Sequence, residues 1–484
     1  MNARERRRLR ETAGRAPRRR SPQHRSMNTR EPGAPWTLLV FAGVAVIACG
    51  LVGVDRAANA VVWALAAVFM VFLIRHLAFA TSALSSAPLD MRSLAGFDWG
   101  FRPRVSVLVP CRNEALVVEG MIETILRLDY PHDLLELIVI DDGSEDATPE
   151  ILDELSRRDN RLVCIHRPPG SPGGKSGALN AALEVATGDV IVVFDADHRP
   201  RSDVLRRLVR HFDDPQVAAV QGRCIVRNSE DSSLAKTIAV DYYCGYLVNE
   251  YGRQSLFNLP AYGGANCAVR ASILRDLGGW NENSVTEDTD LTLRVVLGGH
   301  QVRFDVTAID TEESVHTFRR FWRQRYRWAR GHQRAWRDYR RDVWRAPTLT
   351  LLQKSETTMF LLVYHVPGMC GLGLILLLLR ALGVFAWGNG VDLTPIATLL
   401  FLGPLLELAS GLIVSRAPRR AAVGILLFLP TFVVFTVVCS KAWIDGILGR
   451  EYTWAKTPRS GAGQHHTVTS QLGVTSQLSE PVPA

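Results

Sequence analysis

The 484-residue chain has no C-x-x-C pair. Its eight Cys stand singly, at 49, 111, 164, 224, 244, 267, 370 and 439. That spacing excludes a zinc ribbon and a disulfide framework and leaves reduced thiols. A complete phosphate-binding P-loop is also missing. Gly173-Gly174-Lys175-Ser176 ends like one, but the pattern G-x-x-x-x-G-K-S requires glycine at 169, and Pro169 stands there. An ATPase is therefore disfavoured, although a lysine before a helix start can still touch phosphate oxygens. No repeat of fixed period runs along the chain. No nucleic-acid motif accompanies its basic residues, so nucleic acid is not an expected partner.

Charge of either sign is nearly absent from five apolar runs, at about 36–54, 60–80, 359–387, 393–414 and 421–447. Each approaches the ~20 residues that cross a hydrocarbon core. Core helices of soluble proteins seldom run so long without charge, which excludes a purely soluble globule. Inside the runs, Arg380 is the charge that stands out, with Arg75 and His76 near the end of the second. The net charge of +8 is local: residues 1–30 hold eleven Arg against Glu5 and Glu11. The expected layout is a basic disordered arm over 1–35, two spans over 36–80 joined near 55–59, a soluble domain from 101, about three spans over 357–447, and a polar tail over 448–484. Arginine-rich flanks put the arm, and hence the soluble domain, in the cytoplasm of a multi-pass cell-membrane protein. The loop at 388–392 suits the outside, whereas Arg416, Arg419 and Arg420 suit the inside. Five crossings would send the tail outside despite Arg450, Lys456 and Arg459. Pro430 within the last run points to a re-entrant segment or a missed crossing.

Between the runs, strand and helix signals alternate. Short apolar strands are expected at 105–110, 137–141, 162–166 and 190–194, with helices at 115–128, 148–157 and 178–187. This rhythm predicts an α/β domain with a mostly parallel sheet, in which ligands bind beyond the strands' carboxyl ends. Acidic motifs stand at those ends. Asp141-Asp142-Gly143 closes one strand; a carboxylate there can accept from a nucleobase N–H, although Asp and Gly also make simple turns. Pro110-Cys111-Arg112-Asn113-Glu114 ends the first strand and can line the same pocket. Asp195-Ala196-Asp197 closes another strand, and paired hard oxygens suit Mg²⁺ or Mn²⁺ with a diphosphate, although taken alone the motif also fits a solvated turn. Thr286-Glu287-Asp288 opens a helix expected over 288–297, either as a cap with Thr286 as N-cap or as a general base for a hydroxyl. Residues 319–344 are rich in Arg and Trp at helical spacing, so Gln324, Arg327 and Trp328 share a face. Such a helix suits a membrane interface, an indole face for a sugar, and arginine for phosphate.

In this order the motifs resemble those of processive, membrane-bound family 2 glycosyltransferases, such as cellulose, chitin, hyaluronan and poly-N-acetylglucosamine synthases. The resemblance covers about 101–345. It implies a GT-A domain over 101–318, interface helices with Q-x-x-R-W over 319–350, and a nucleotide-sugar donor, most often a UDP-sugar. By the same resemblance Asp141 and Asp142 contact the base. Asp195 and Asp197 hold the nucleotide and its metal, and Lys175 lies near the diphosphate. Gln324 and Arg327 guard the diphosphate, and Asp288 is the base. Trp328, Gly264 and Glu287 face the acceptor, with Gly264 in the small-residue segment Gly263-Gly264-Ala265-Asn266. The implied reaction is inverting transfer onto a growing β-linked polysaccharide, with the spans lining an export path. The short tail leaves no room for the cyclic-di-GMP domain that bacterial cellulose synthases usually carry, which lowers cellulose among the products. The alternative is a single transfer to a lipid acceptor; a transporter or receptor with an inactive domain is a more distant one.

Overall fold

A computed structural model describes residues 50–95, 100–384 and 394–450. The arm, most of the first apolar run, the 388–392 loop and the tail beyond Arg450 lie outside the described residues. The strands are β1 (Val105–Cys111), β2 (Leu135–Asp142), β3 (Leu162–Arg167), β4 (Val190–Val193), β5 (Arg199–Pro200), β6 (Val217–Val226), β7 (Cys267–Arg270) and β8 (Gln301–Glu312). They form one sheet in the order β3-β2-β1-β4-β7-β6-β8-β5. The first four strands are mutually parallel, as the βα rhythm predicts. β7 runs antiparallel to both β4 and β6, while β6 and β8 pair in parallel.

The helices, in chain order, are α1 (Val54–Ala95), α2 (Val118–Leu126), α3 (Thr148–Arg158), α4 (Gly174–Val185), α5 (Val204–Val209) and α6 (Ser233–Cys244). A π-helical turn leads from α6 into α7 (Tyr251–Phe257), followed by α8 (Ala271–Asp276) and α9 (Glu287–Leu297). Then come α10 (Phe318–Arg345), α11 (Leu351–Leu362), α12 (Val366–Ala381), α13 (Thr394–Ser415), α14 (Val423–Leu426) and α15 (Phe428–Ile447).

Alternation along the central strands builds two cores. Val107 and Val109 of β1 join one with Val118, Met121 and Ile122 of α2. Leu108 between them joins the other, with Ala178, Leu179 and Ala182 of α4. A strand whose neighbours point to opposite faces can be apolar throughout only if both faces are covered. That is why 105–109 and 190–194 are apolar apart from Ser106, which is itself buried.

The apolar helices depart from the expected spans in four ways. The join expected at 55–59 is helical: Asn59 Nδ2 donates to Asp55 O at 2.7 Å, and the break falls at Gly53, whose φ is +84°. The run at 359–387 is not straight; α11 and α12 meet at a 66° bend. Pro367 sits in the first turn of α12, where it supplies no N–H for continuing α11. Pro430 falls in the first turn of α15, and the run expected as one span over 421–447 breaks at Leu427 between α14 and α15. Finally, the apolar helices do bury charge, and not at Arg380, which is exposed. Arg75 of α1 pairs with Glu356 at 2.9 Å, and His76 with Glu407 of α13 at 2.9 Å. By length and composition α1 and α15 are able to cross a membrane, and the bent α11–α12 pair adds a third if counted as one span.

Candidate active site

The carboxyl ends of β2 and β4 carry the first two acidic motifs, as expected. Asp141 Oδ1 accepts from the Ser144 N–H at 2.9 Å, and Asp141 Oδ2 lies 3.1 Å from His166 Nδ1. Asp142 pairs with Arg167, which also donates to Gly174 O at 3.2 Å. That contact ties β2 to the start of α4. The helix begins four residues earlier than expected, because Gly173 supplies the left-handed turn (φ +83°) that no β-carbon would accept beside Glu282. Lys175 therefore stands in the first turn of α4.

Lys175 is where the motifs meet. Its Nζ lies 2.8 Å from Asp195 Oδ1 and 3.5 Å from Glu287 Oε1, and donates to Gly264 O at 3.0 Å. Burial opposes its charge, but Asp195 and Glu287 outweigh burial and hold its pKa above the usual lysine value. Gly264, at φ +79°, brings its backbone against Asp288: a β-carbon there would stand 3.4 Å from Asp288 Oδ2. Gln221 fixes this segment, accepting from Gly263 N–H at 2.6 Å and donating to Ala265 O at 3.1 Å. Asp288 takes the Thr289 N–H on Oδ1 at 2.6 Å. Burial and the neighbouring Glu287 push its pKa up to about 6, against the pull of the Thr289 N–H and Lys175.

Asp195, Asp197 and His198 bring ligand atoms within 4.8 Å of one another. The two carboxylates fit a hard divalent cation. His198 does not add to them: its Nδ1 is bound to Asp310 and its Nε2 lies 3.2 Å from Glu312. Burial works against its charge, yet the two carboxylates prevail and hold its pKa well above the usual histidine value, so both ring nitrogens are engaged on β8. Asp197 is 1 % exposed, and its Oδ2 accepts from the Glu313 N–H at 3.2 Å. Sequence reasoning missed His198, Asp310 and Glu312; the histidine directly after the D-x-D was the only available signal.

The fourth motif arrives on α10. This helix packs on α9 so closely that a β-carbon on Gly331 would stand 2.2 Å from Thr286 Cγ2. Thr286 is thereby turned away from its expected capping role, and its buried Oγ1 has no partner among the described residues. Thr286→Val should therefore leave the melting temperature unchanged or raise it, since an unpaired buried hydroxyl costs about 1–3 kcal/mol. A clear fall in melting temperature would restore the capping assignment. Gln324, Arg327 and Trp328 are all half-buried on α10, and Arg327 Nε is buried without a protein partner among the described residues. One face of Trp328 is covered by the Arg325 guanidinium, 4.5 Å from the ring centre, which leaves that face unavailable to a sugar. Arg325 is held in turn by Asp241 at 2.7 Å. The adjacent Tyr242 hydrogen-bonds Glu312, the partner of His198. α6 thus touches both the neighbourhood of the D-x-D, through Tyr242 and Glu312, and that of Trp328, through Asp241 and Arg325. A cavity of about 470 Å³ lies elsewhere, between the end of α1 and the β6–β8 edge, and none of these motifs lines it.

The family model for glycosyl transferase family 2 matches residues 106–278. The chain is 39 % identical over 233 residues to the Probable glycosyltransferase YdaM of Bacillus subtilis, covering 48 % of this chain and 56 % of the relative. It is 34 % identical over 266 residues to the Beta-monoglucosyldiacylglycerol synthase of a Synechocystis species, covering 54 % of each. The matches thus span about half the length of these curated relatives. Among solved structures it is similar to the mannosyltransferase PcManGT of Pyrobaculum calidifontis, solved with GDP-Man and Mn²⁺. That likeness has a TM-score of 0.52 at 22 % identity, over 81 % of this chain and all of the other, and speaks to the fold alone. The sheet order, the strand-end carboxylates and the matched segment agree: this chain carries a glycosyltransferase family 2 domain of the GT-A fold.

Proposed function

We propose that the protein transfers a sugar, with inversion, from a nucleotide sugar to the hydroxyl of a membrane lipid. The observation that carries the chemistry is the Lys175 bridge. One ammonium touches the D-x-D carboxylate of the donor side and the Glu287 of the acceptor side, with Asp288 beside them across Gly264. Donor-side and acceptor-side motifs thus meet at Lys175, which supports one shared site.

In this reading Asp141 and Asp142 face the base, and Lys175 and Arg327 face the diphosphate, with Gln324 beside Arg327 on α10. Trp328 offers its open face to the acceptor next to Gly264 and Glu287. Asp288, ionised above pH 6, takes the proton of the attacking hydroxyl while the sugar–phosphate bond breaks on the opposite side. A divalent cation, Mg²⁺ or Mn²⁺, held by Asp195 and Asp197, would offset charge growing on the departing diphosphate. The acceptor assignment is supported by the relative whose name gives diacylglycerol as acceptor, and by the placement of α10. Its Ala329 and Tyr326 pack against Cys439, Ala442 and Phe435 of α15, a helix apolar enough to enter a bilayer. The cytoplasmic side of the cell membrane and more than one crossing belong to the same proposal.

Membranes containing the protein, given radiolabelled UDP-glucose, UDP-N-acetylglucosamine, UDP-galactose or UDP-glucuronate, should move label into the organic phase with one of them. Label retained in a large water-soluble product would overturn the lipid acceptor in favour of the polymer. For the productive donor, kcat/KM should fall on the acid side with an apparent pKa near 6, as Asp288 protonates. A profile flat from pH 5 to 8 would remove Asp288 as the base.

A further inference from the structure

The described geometry assigns a role to a histidine that no motif includes. His332 lies one helical turn after Trp328 on α10 and points at the residue after the candidate base: its Nε2 is 3.2 Å from Thr289 Oγ1. That hydroxyl is 3.3 Å from Asp288 Oδ1, which already takes the Thr289 N–H. An ionised carboxylate only accepts hydrogen bonds, and a threonine hydroxyl has a single hydrogen. If the hydrogen goes to Asp288, the hydroxyl must accept from His332, so the imidazole carries its proton on Nε2. The surroundings agree. His332 Nδ1 is buried with no partner among the described residues, so a proton there would find none of them to accept it. Burial, with Arg253 and His365 nearby, holds the ring neutral, its pKa lowered to about 3. Phe360 meets the ring edge-on at 5.4 Å and Tyr364 lies at 4.6 Å, which fixes its orientation.

We propose that His332 is a positioning residue for Asp288: its Nε2–H orients the Thr289 hydroxyl onto Asp288 Oδ1, leaving Oδ2, on the Gly264 side, as the oxygen that takes the acceptor's proton. This rests on the reading of Asp288 as the base. The charged groups around Asp288 are Glu287 and Lys175, and Tyr364 and the buried Cys267 thiol lie within electrostatic reach of it. None of these supplies a hydrogen bond to Oδ1.

The test is the pH profile of UDP release, with the UDP-sugar that turns over, for His332→Phe, His332→Gln, Thr289→Val, the double variant T289V/H332F and Asp288→Asn. A carboxylate that loses a donated hydrogen bond titrates higher, so H332F should move the acid limb up by roughly 0.5–1 pH unit. Its kcat should fall about tenfold with donor KM within about twofold, since the loss is confined to the proton-transfer step. Glutamine, whose amide nitrogen reaches the place of Nε2, should return the limb to the wild-type position. The double variant should match T289V alone, because both changes remove one chain of hydrogen bonds. A wild-type limb in H332F, or additive losses in the double variant, would overturn the proposal while leaving Asp288 as base if D288N is inactive. An active D288N would overturn both. Donor KM and the unfolding curve of each variant separate a local effect from a failure to fold; if H332F does not fold, the T289V limb decides, and a wild-type limb there overturns the proposal.

Discussion

Asp288→Asn is expected to lower UDP release by roughly 10²–10⁴-fold with donor KM little changed, the range typical for loss of a positioned general base. The amide keeps the shape of the carboxylate and can still accept the Thr289 N–H, so the cleft should remain assembled. Stability should not suffer. With its pKa raised to about 6, the native Asp288 binds a proton more tightly than in the unfolded chain. Its contribution therefore declines as pH rises from about 4 to 6 and stays at that lower level above. The ionised form costs of order 2–3 kcal/mol at neutral pH, and the neutral asparagine escapes that cost. The expected pattern is an inactive protein that melts at the same temperature as wild type or higher. Measured turnover within a factor of a few of wild type would end the assignment; so would loss of both activity and fold.

The second large effect is expected at the D-x-D. Asp195→Asn and Asp197→Asn should each cut turnover by about 10²–10³-fold, the equivalent of ~3–4 kcal/mol of lost charge stabilisation. They should also flatten the response to added Mn²⁺ or Mg²⁺. The two should differ in their side effects. Asp195 faces Lys175, so its loss leaves the ammonium with Glu287 and the more distant Asp288 as counter-charges. Asp197 rests on the Glu313 N–H, a bond that an amide oxygen can still accept, so its fold should be wild-type. Chelation with EDTA should silence the wild-type enzyme, and Mn²⁺ should restore it. A variant at Asp197 that keeps the wild-type metal dependence would show that the cation is held elsewhere.

The parallel half of the sheet was legible because its signal is local. Each strand is a short run of Val, Ile and Leu whose end is marked by Asp or by Gly and Pro, and β1 to β4 fall within one or two residues of expectation. α9 and the single long α10 were legible from their acidic start and their Arg–Trp spacing. The antiparallel β7 was not, since four residues without a partner carry no direction. Nor were the bend between α11 and α12 and the ion pairs of Arg75 and His76, because composition registers apolar length and not which neighbour neutralises a charge.

What the chain alone determined is the set of chemical groups and their order, with each motif at the end of a strand or the start of a helix. Those features depend on residues within a few positions of each other. Only the tertiary structure decided which groups meet. Lys175 reaches Gly264, 89 residues away, because β4 and β7 lie side by side. His198 is engaged at both ring nitrogens because β8 delivers Asp310 and Glu312 to them. Gly331 lets α10 close on Thr286, and that approach places His332 against Thr289. A hydrogen bond between distant segments leaves no periodic trace in either one, so its existence is settled by packing.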